Sequence, residues 1–205
     1  MNNPQLNDTL NFGIELELIV KVPNEMIKFK LLDINQKILF FSNIMKNNLK
    51  HIPIEFCIDT EINNYNVWNL IKDNSLKTER TNYFALELVS PIITNKNKQL
   101  QQLTEILDFL KKHNVYVNSS CGFHLHISQK KIQFSLQQIK QISKVFITFE
   151  KPLDYQNKNR TNNKFCQSNR DNIHFKNKSL DNCYKIIDKC RNKYELLNLI
   201  NPIDK

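Results

Sequence analysis

An α+β fold, a mainly antiparallel sheet with helices packed on one face, is the architecture this sequence predicts, and three observations carry it. Strand-like runs outnumber helical ones. They do not alternate strictly with helices, as a parallel sheet would require. Three of the runs also share one design, with apolar residues at every second position and acids or imidazoles between them.

The elements follow in order. NFGIELELIVKV (Asn11 to Val22) alternates and reads as a strand. Met26 to Asn48 is apolar enough to contain a helix. Short β-type runs follow at IPIEFCI, VWNLIKD and FALELVSPI, with Pro91 closing the last. About Lys96 to His113, Leu100, Leu103, Leu107 and Leu110, with Ile106 beside them, mark an amphipathic helix. GFHLHIS is another alternating strand. Ser135 and Gln138 form a capping box for a second helix, whose apolar face is Leu136, Ile139, Ile142, Phe146, Phe149 and Leu153. Asn157 to Lys178 is polar, basic and irregular. A final helix near Leu180 to Lys193 leads into YELLNLI. With no internal repeat and no Gly-, Pro- or Ser-rich linker, residues 1–205 read as a single domain, long enough to bury a core.

Composition narrows the function classes. The net charge is +9, but the lysines are scattered, and an abundance of Asn, Lys and Ile suggests an A/T-rich gene that accounts for them. Charge alone therefore argues weakly for nucleic-acid binding. The five cysteines are odd in number and contain no CxxC pair. No signal-peptide core and no membrane-spanning apolar run occurs. The expectation is a cytoplasmic protein with free thiols, Cys121 being a buried structural one.

The three patterned strands concentrate the chemistry. In FGIELEL, Ile14, Leu16 and Leu18 point one way and Gly13, Glu15 and Glu17 the other. In FALELVS, Leu86 and Leu88 oppose Ala85, Glu87 and Val89. In GFHLHIS, Phe123, Leu125 and Ile127 oppose Gly122, His124 and His126. Each strand thus has an apolar face for the helices and a second face of acids or imidazoles. Both glycines and the single alanine of the chain sit two positions before a Glu or His, on its own face. At average usage roughly fourteen glycines would be expected at this length. The placement suggests space kept for a ligand, Gly122 before His124 above all. Gathering Glu15, Glu17 and Glu87 without a cation would be electrostatically costly, and a divalent metal removes that cost. Carboxylate-rich ligation favours Mg²⁺ or Mn²⁺, one imidazole moves the balance toward Mn²⁺, and zinc suits the set less.

FGIELEL, the DNSLK stretch with Asp73 and Ser75, ALELVSP, CGFHLHIS, Glu150, Arg160 and YELLNL together resemble the amidoligase family, in its order from about Asn11 to Leu199. That family belongs to the carboxylate–amine ligases, with glutamine synthetase and glutamate–cysteine ligase. The resemblance implies a glutamine synthetase-like catalytic domain whose sheet forms a funnel-like site. There an ATP- and Mg²⁺-dependent reaction joins a small-molecule or peptide carboxylate to an amine through an acyl phosphate. It places Glu15, Glu17, Glu87 and His124 on metal, with Glu87, His124 and Arg160 catalytic. It places His126 and Ser128 beside the nucleotide, and Arg160 on phosphate or a substrate carboxylate. Arg160 reads equally well as a cation in a basic loop, and Asp73 and Ser75 either contact substrate or form a turn between strands. Glu150 faces the site or solvent, and Tyr194 and Asn198 fit the family's closing motif.

The family's members continue to a further strand carrying Glu and Arg, whereas this chain stops at NPIDK. Metal and nucleotide binding are accordingly expected to survive better than turnover. The alternative is an inactive relative that binds metal, nucleotide or a protein partner. A metal-dependent hydrolase using the HxH pair is the third reading, which chain length and element order disfavour. Specificity is expected in the loops Cys57 to Asn66 and Asn157 to Lys178.

Overall fold

The computed structural model describes residues 10–22, 32–58, 61–78, 82–94, 96–130, 132–156 and 168–200. The chain divides into two compact units, Met1–Lys131 and Ile132–Lys205.

The first unit holds a six-stranded sheet. Its strands are β1 (Leu10–Lys21), β2 (Ile54–Phe56), β3 (Trp68–Ile71), β4 (Tyr83–Val89), β5 (Val115–Tyr116) and β6 (Phe123–Gln129). β1 is the long central strand. It pairs with β4 on one side, and on the other with β6 along its first half and β5 further on, all antiparallel. β3 continues the sheet beyond β4, and β2 lies at the edge. The sheet is mixed rather than mainly antiparallel, because β2 and β3 run parallel. The reason lies in the length of the connection: β2 and β3 are separated by residues 57–67, where a tight hairpin would have given an antiparallel pair.

Two helices, α1 (Ile34–Asn48) and α2 (Lys96–Lys112), belong to the same unit. α1 begins at Ile34 because Asp33 and Gln36 form a reciprocal capping box, each side chain accepting from the other's backbone N–H at 2.9 and 3.0 Å. The core joins Ile38, Phe41 and Met45 of α1 and Ile106, Phe109 and Leu110 of α2 to Leu18, Val20, Trp68, Leu70, Phe84, Leu86 and Leu88 of the strands. α2 is rotated from the expected stripe, with Leu100 and Leu107 exposed. The position that replaces them is polar: buried Gln102 accepts the indole N–H of fully buried Trp68 at 3.3 Å. After α2, Asn114 takes the left-handed conformation (φ 55°) and turns the chain into β5.

The second unit contains α3 (Leu136–Gln156), a short 3₁₀ helix (Asn169–Asp171), α4 (Leu180–Lys189) and α5 (Lys193–Ile200). The expected Ser135–Gln138 box starts α3. Its buried face is not the expected one. Ile142, Phe146, Phe149 and Leu153 are exposed, while Lys140, Ser143, Ile147 and Glu150 are buried. Polar groups can occupy that face because each has a partner. Lys140 Nζ donates to the Asp188 carbonyl at 2.8 Å, and Ser143 Oγ to the Ile139 carbonyl at 2.8 Å. Ile147 packs with Phe175, Cys183, Ile187 and Leu196.

Candidate active site

The register of β1 against its neighbours brings the three polar strand faces together. Glu15 lies opposite His124, Gly13 opposite His126, and Glu17 opposite Glu87. Because these positions share one side of the pleat, five side chains converge: Glu15, Glu17, Glu87, His124 and His126. Glu15 Oε2 lies 3.0 Å from His124 Nδ1 and 2.9 Å from His126 Nε2. His124 Nε2 is 3.7 Å from Glu17 Oε1. One ligand atom each from Glu15, Glu87 and His124 falls within 4.8 Å of the others.

The strands are clamped where they carry these groups. Ile14 N–H donates to Ser90 Oγ, and Ser90 N–H to the Ile14 carbonyl, both at 2.8 Å. Ser90, in the ELVSP run, therefore ties the end of β4 to β1 beside Glu15. Glu17 is buried, and its Oε2 accepts the Gly122 N–H. Asn118 Nδ2 donates to the Lys77 carbonyl and Lys77 N–H to Ser120 Oγ, so the loop before Gly122 is stapled to the segment after Asp73. Asp73 forms a turn, accepting the Ser75 N–H at 2.7 Å.

Crowding shows in the protonation of the acids. Burial, then the charges of Glu15 and Asp73, a hydrogen bond with Glu15 and the charge of Glu17 push the Glu87 carboxyl up to about 7. For Glu15, burial pushes upward, but hydrogen bonds from His126 and His124 outweigh it and hold the carboxyl below its ordinary value.

The small residues serve three different purposes. Gly122 contributes its backbone N–H to Glu17, which fixes that carboxylate beside His124. Ala85 packs with Ile19, Leu76 and Cys121 in a small core below the acids, which also makes Cys121 the buried structural thiol expected. Gly13 faces open volume. It lies in a trough of about 520 Å³ that contains Glu15 and His126 at one end and Asn11 and Ser128 at the other. Val89, Pro91, Ile92 and Tyr65 add an apolar side.

On the other face of β6, Phe123, Leu125 and Ile127 are exposed. Arg160 lies outside the described residues. Glu150 belongs to the second unit and is buried there, accepting from Ser168 Oγ, Asn169 N–H and Asn169 Nδ2. Tyr194 and Asn198 line a separate cavity of that unit. Asn11, Tyr65 and Ile92 were not singled out by sequence reasoning. An aromatic side chain alone in the polar run EINNYN was the available signal.

No curated protein matches the chain, and no solved structure does. A protein-family model described as "Putative amidoligase enzyme" matches residues 8–197, a span that takes in the whole sheet and nearly all of the helical unit. The chain belongs to that amidoligase family.

Proposed function

We propose that the protein is an ATP- and Mg²⁺-dependent ligase joining a carboxylate to an amine. The observation that carries this is the convergence of Glu15, Glu87 and His124 beside an open trough. Family membership supports ligase activity. The donor set fits a hard divalent cation: two carboxylates and one imidazole, with no thiol among them. The raised Glu87 carboxyl fits as well, since a cation is the group that relieves three crowded acids.

Glu15, Glu87 and His124 would hold Mg²⁺, or Mn²⁺, with Glu17 behind them fixed on Gly122. Bound there, the cation supplies charge neutralisation to phosphate oxygens. His126 and Ser128 line the trough and would contact the nucleotide. In the reaction, an oxygen of the substrate carboxylate bonds to the terminal phosphorus of ATP as the bond to ADP breaks. The amine nitrogen then bonds to the carbonyl carbon as phosphate leaves, giving an amide and releasing a proton. The clamped strands contribute positioning, which is most of what phosphoryl transfer asks of a protein.

The test is thermal unfolding with and without ATP and Mg²⁺, on the wild type and on Glu15→Gln/Glu17→Gln. Ligand at about 100 times its Kd adds roughly 2.7 kcal/mol, a midpoint rise of about 5–10 °C at this chain length. The rise should need both metal and nucleotide and vanish in the double variant. No rise in a well-folded wild type would refute the reading, and amide formation without ATP would replace it with a hydrolase run in reverse.

A further inference from the structure

We infer that the trough over Gly13 is the base compartment of the nucleotide site and that Tyr65 is its stacking face, selecting a nucleoside triphosphate over a bare polyphosphate. The inference rests on the ligase reading and adds to it the residues that recognise the base.

Tyr65 is half exposed, although it is a large aromatic in a loop with an ordered frame. Its backbone is held from two sides. The Tyr65 carbonyl accepts the Ile92 N–H at 2.9 Å, so the two residues stand together along the apolar side of the trough. Beneath the loop, fully buried Asn69 donates through Nδ2 to the Asn64 carbonyl at 2.9 Å and the Val67 carbonyl at 3.0 Å, and accepts from Cys57 Sγ at 3.1 Å. Asn64 in turn accepts the Asn66 N–H at 3.1 Å. A loop fixed at Asn64, Asn66 and Val67 presents the ring between them in one place without burying it. A ring so held is preorganised to lie against a flat ligand.

Asn11 lies at the opposite end of the trough from Glu15. From Asn11 to Glu15 the strand advances about 13 Å at ~3.3 Å per residue, room for a nucleotide laid with its phosphates toward the acids and its base toward Asn11. The missing side chain of Gly13 leaves the floor between them open: a Cβ there would stand 3.5 Å from the Cβ of His126.

The experiment measures binding of ATP and of inorganic tripolyphosphate, each with Mg²⁺, by titration calorimetry on the wild type, Tyr65→Ala and Tyr65→Phe. Aromatic stacking on a base corresponds to about a 5- to 100-fold change in affinity on truncation to alanine. Tyr65→Ala should weaken ATP by that factor and leave tripolyphosphate unchanged, while Tyr65→Phe should retain ATP binding. Equal loss of both ligands would make Tyr65 a loop-structural residue and overturn the inference. So would unchanged ATP binding in Tyr65→Ala, or a wild type that binds tripolyphosphate as tightly as ATP; either leaves the metal and phosphate reading standing. A wild type that binds neither ligand removes the ligase reading and this one with it.

Discussion

Glu15 and His124 face each other across the ladder between β1 and β6, and Glu15 Oε2 lies 3.0 Å from His124 Nδ1. The pair joins the acidic strand to the imidazole strand, so the two halves of the donor set are held by one strand register. Their contributions to metal binding should differ in kind. Carboxylate oxygens serve Mg²⁺ and Mn²⁺ alike, whereas imidazole favours the later metal. We expect Glu15→Gln to weaken both ions by about tenfold or more, and His124→Ala to weaken Mn²⁺ more than Mg²⁺. Mn²⁺ titration followed by paramagnetic resonance, with Mg²⁺ in competition, measures both. Equal losses for the two ions in His124→Ala would remove His124 from the donor set.

Glu87 makes the metal-free protein sensitive to pH. Its carboxyl rises from an ordinary 4.5 to about 7, so the folded state holds this proton more tightly than the unfolded state does. The stability it contributes is therefore complete below pH 4.5 and is lost as pH rises toward and through 7. Glu15, held below its ordinary value, acts with the opposite sign, its contribution being lost as pH falls. Comparing the wild type with Glu87→Gln isolates the first effect. In a chelating buffer, the midpoint of the variant should gain on that of the wild type across pH 5–8, and most of the gain should appear by pH 8. A constant difference over that range would mean that Glu87 is not crowded by its neighbours. Added Mg²⁺ at pH 8 should raise the wild-type midpoint more than that of Glu87→Gln.

The polar faces of β1, β4 and β6 were legible because alternation is a local property, and register then does the rest: Glu17 meets Glu87, and Glu15 meets His124. What local pattern could not carry were partnerships distant in sequence. The N–H of Gly122 on Glu17, in a strand near the other end of the unit, is one such partnership. Ala85 looks like a residue that makes room until Leu76 and Cys121 close over it. The apolar stripe of α3 misled for a related reason. A helix can bury Lys140, Ser143 and Glu150 if other segments offer them partners, and no hydrophobic pattern records that offer. Two-residue β5 is too short to show a period at all. The parallel pairing of β2 with β3 depends on the long connection between them, residues 57–67, whose mixed composition shows no period.

Gly13 allows stability and ligand access to be separated. A Cβ at this position would make ordinary van der Waals contact with the Cβ of His126, at 3.5 Å, and the glycine has no positive φ to forbid it. Gly13→Ala should therefore fold normally, and it gains up to about 0.5–1 kcal/mol from the smaller entropy of the unfolded chain. The same methyl group projects into the floor of the trough. Affinity for Mg·ATP should fall while the midpoint of the ligand-free protein holds or rises. A variant that is as stable as the wild type and binds ATP equally well would show that no ligand approaches the β1 backbone there.

Glu150 illustrates a motif residue whose work is structural. Buried in α3, it accepts the Asn169 N–H at 2.6 Å, Asn169 Nδ2 at 3.3 Å and Ser168 Oγ at 3.0 Å, while Ser168 in turn accepts the Arg170 N–H at 3.1 Å. The carboxylate thus fixes the start of the 3₁₀ helix, and removing it leaves half-buried donors without their acceptor, a loss of about 1 kcal/mol. Glu150→Gln keeps one acceptor oxygen and should lose less than Glu150→Ala. Both variants should bind Mg·ATP with wild-type affinity once folded, and amide exchange at residues 168–172 should accelerate in the alanine variant. Unchanged exchange there would remove the structural role, and loss of nucleotide binding at full folding would place Glu150 in the site.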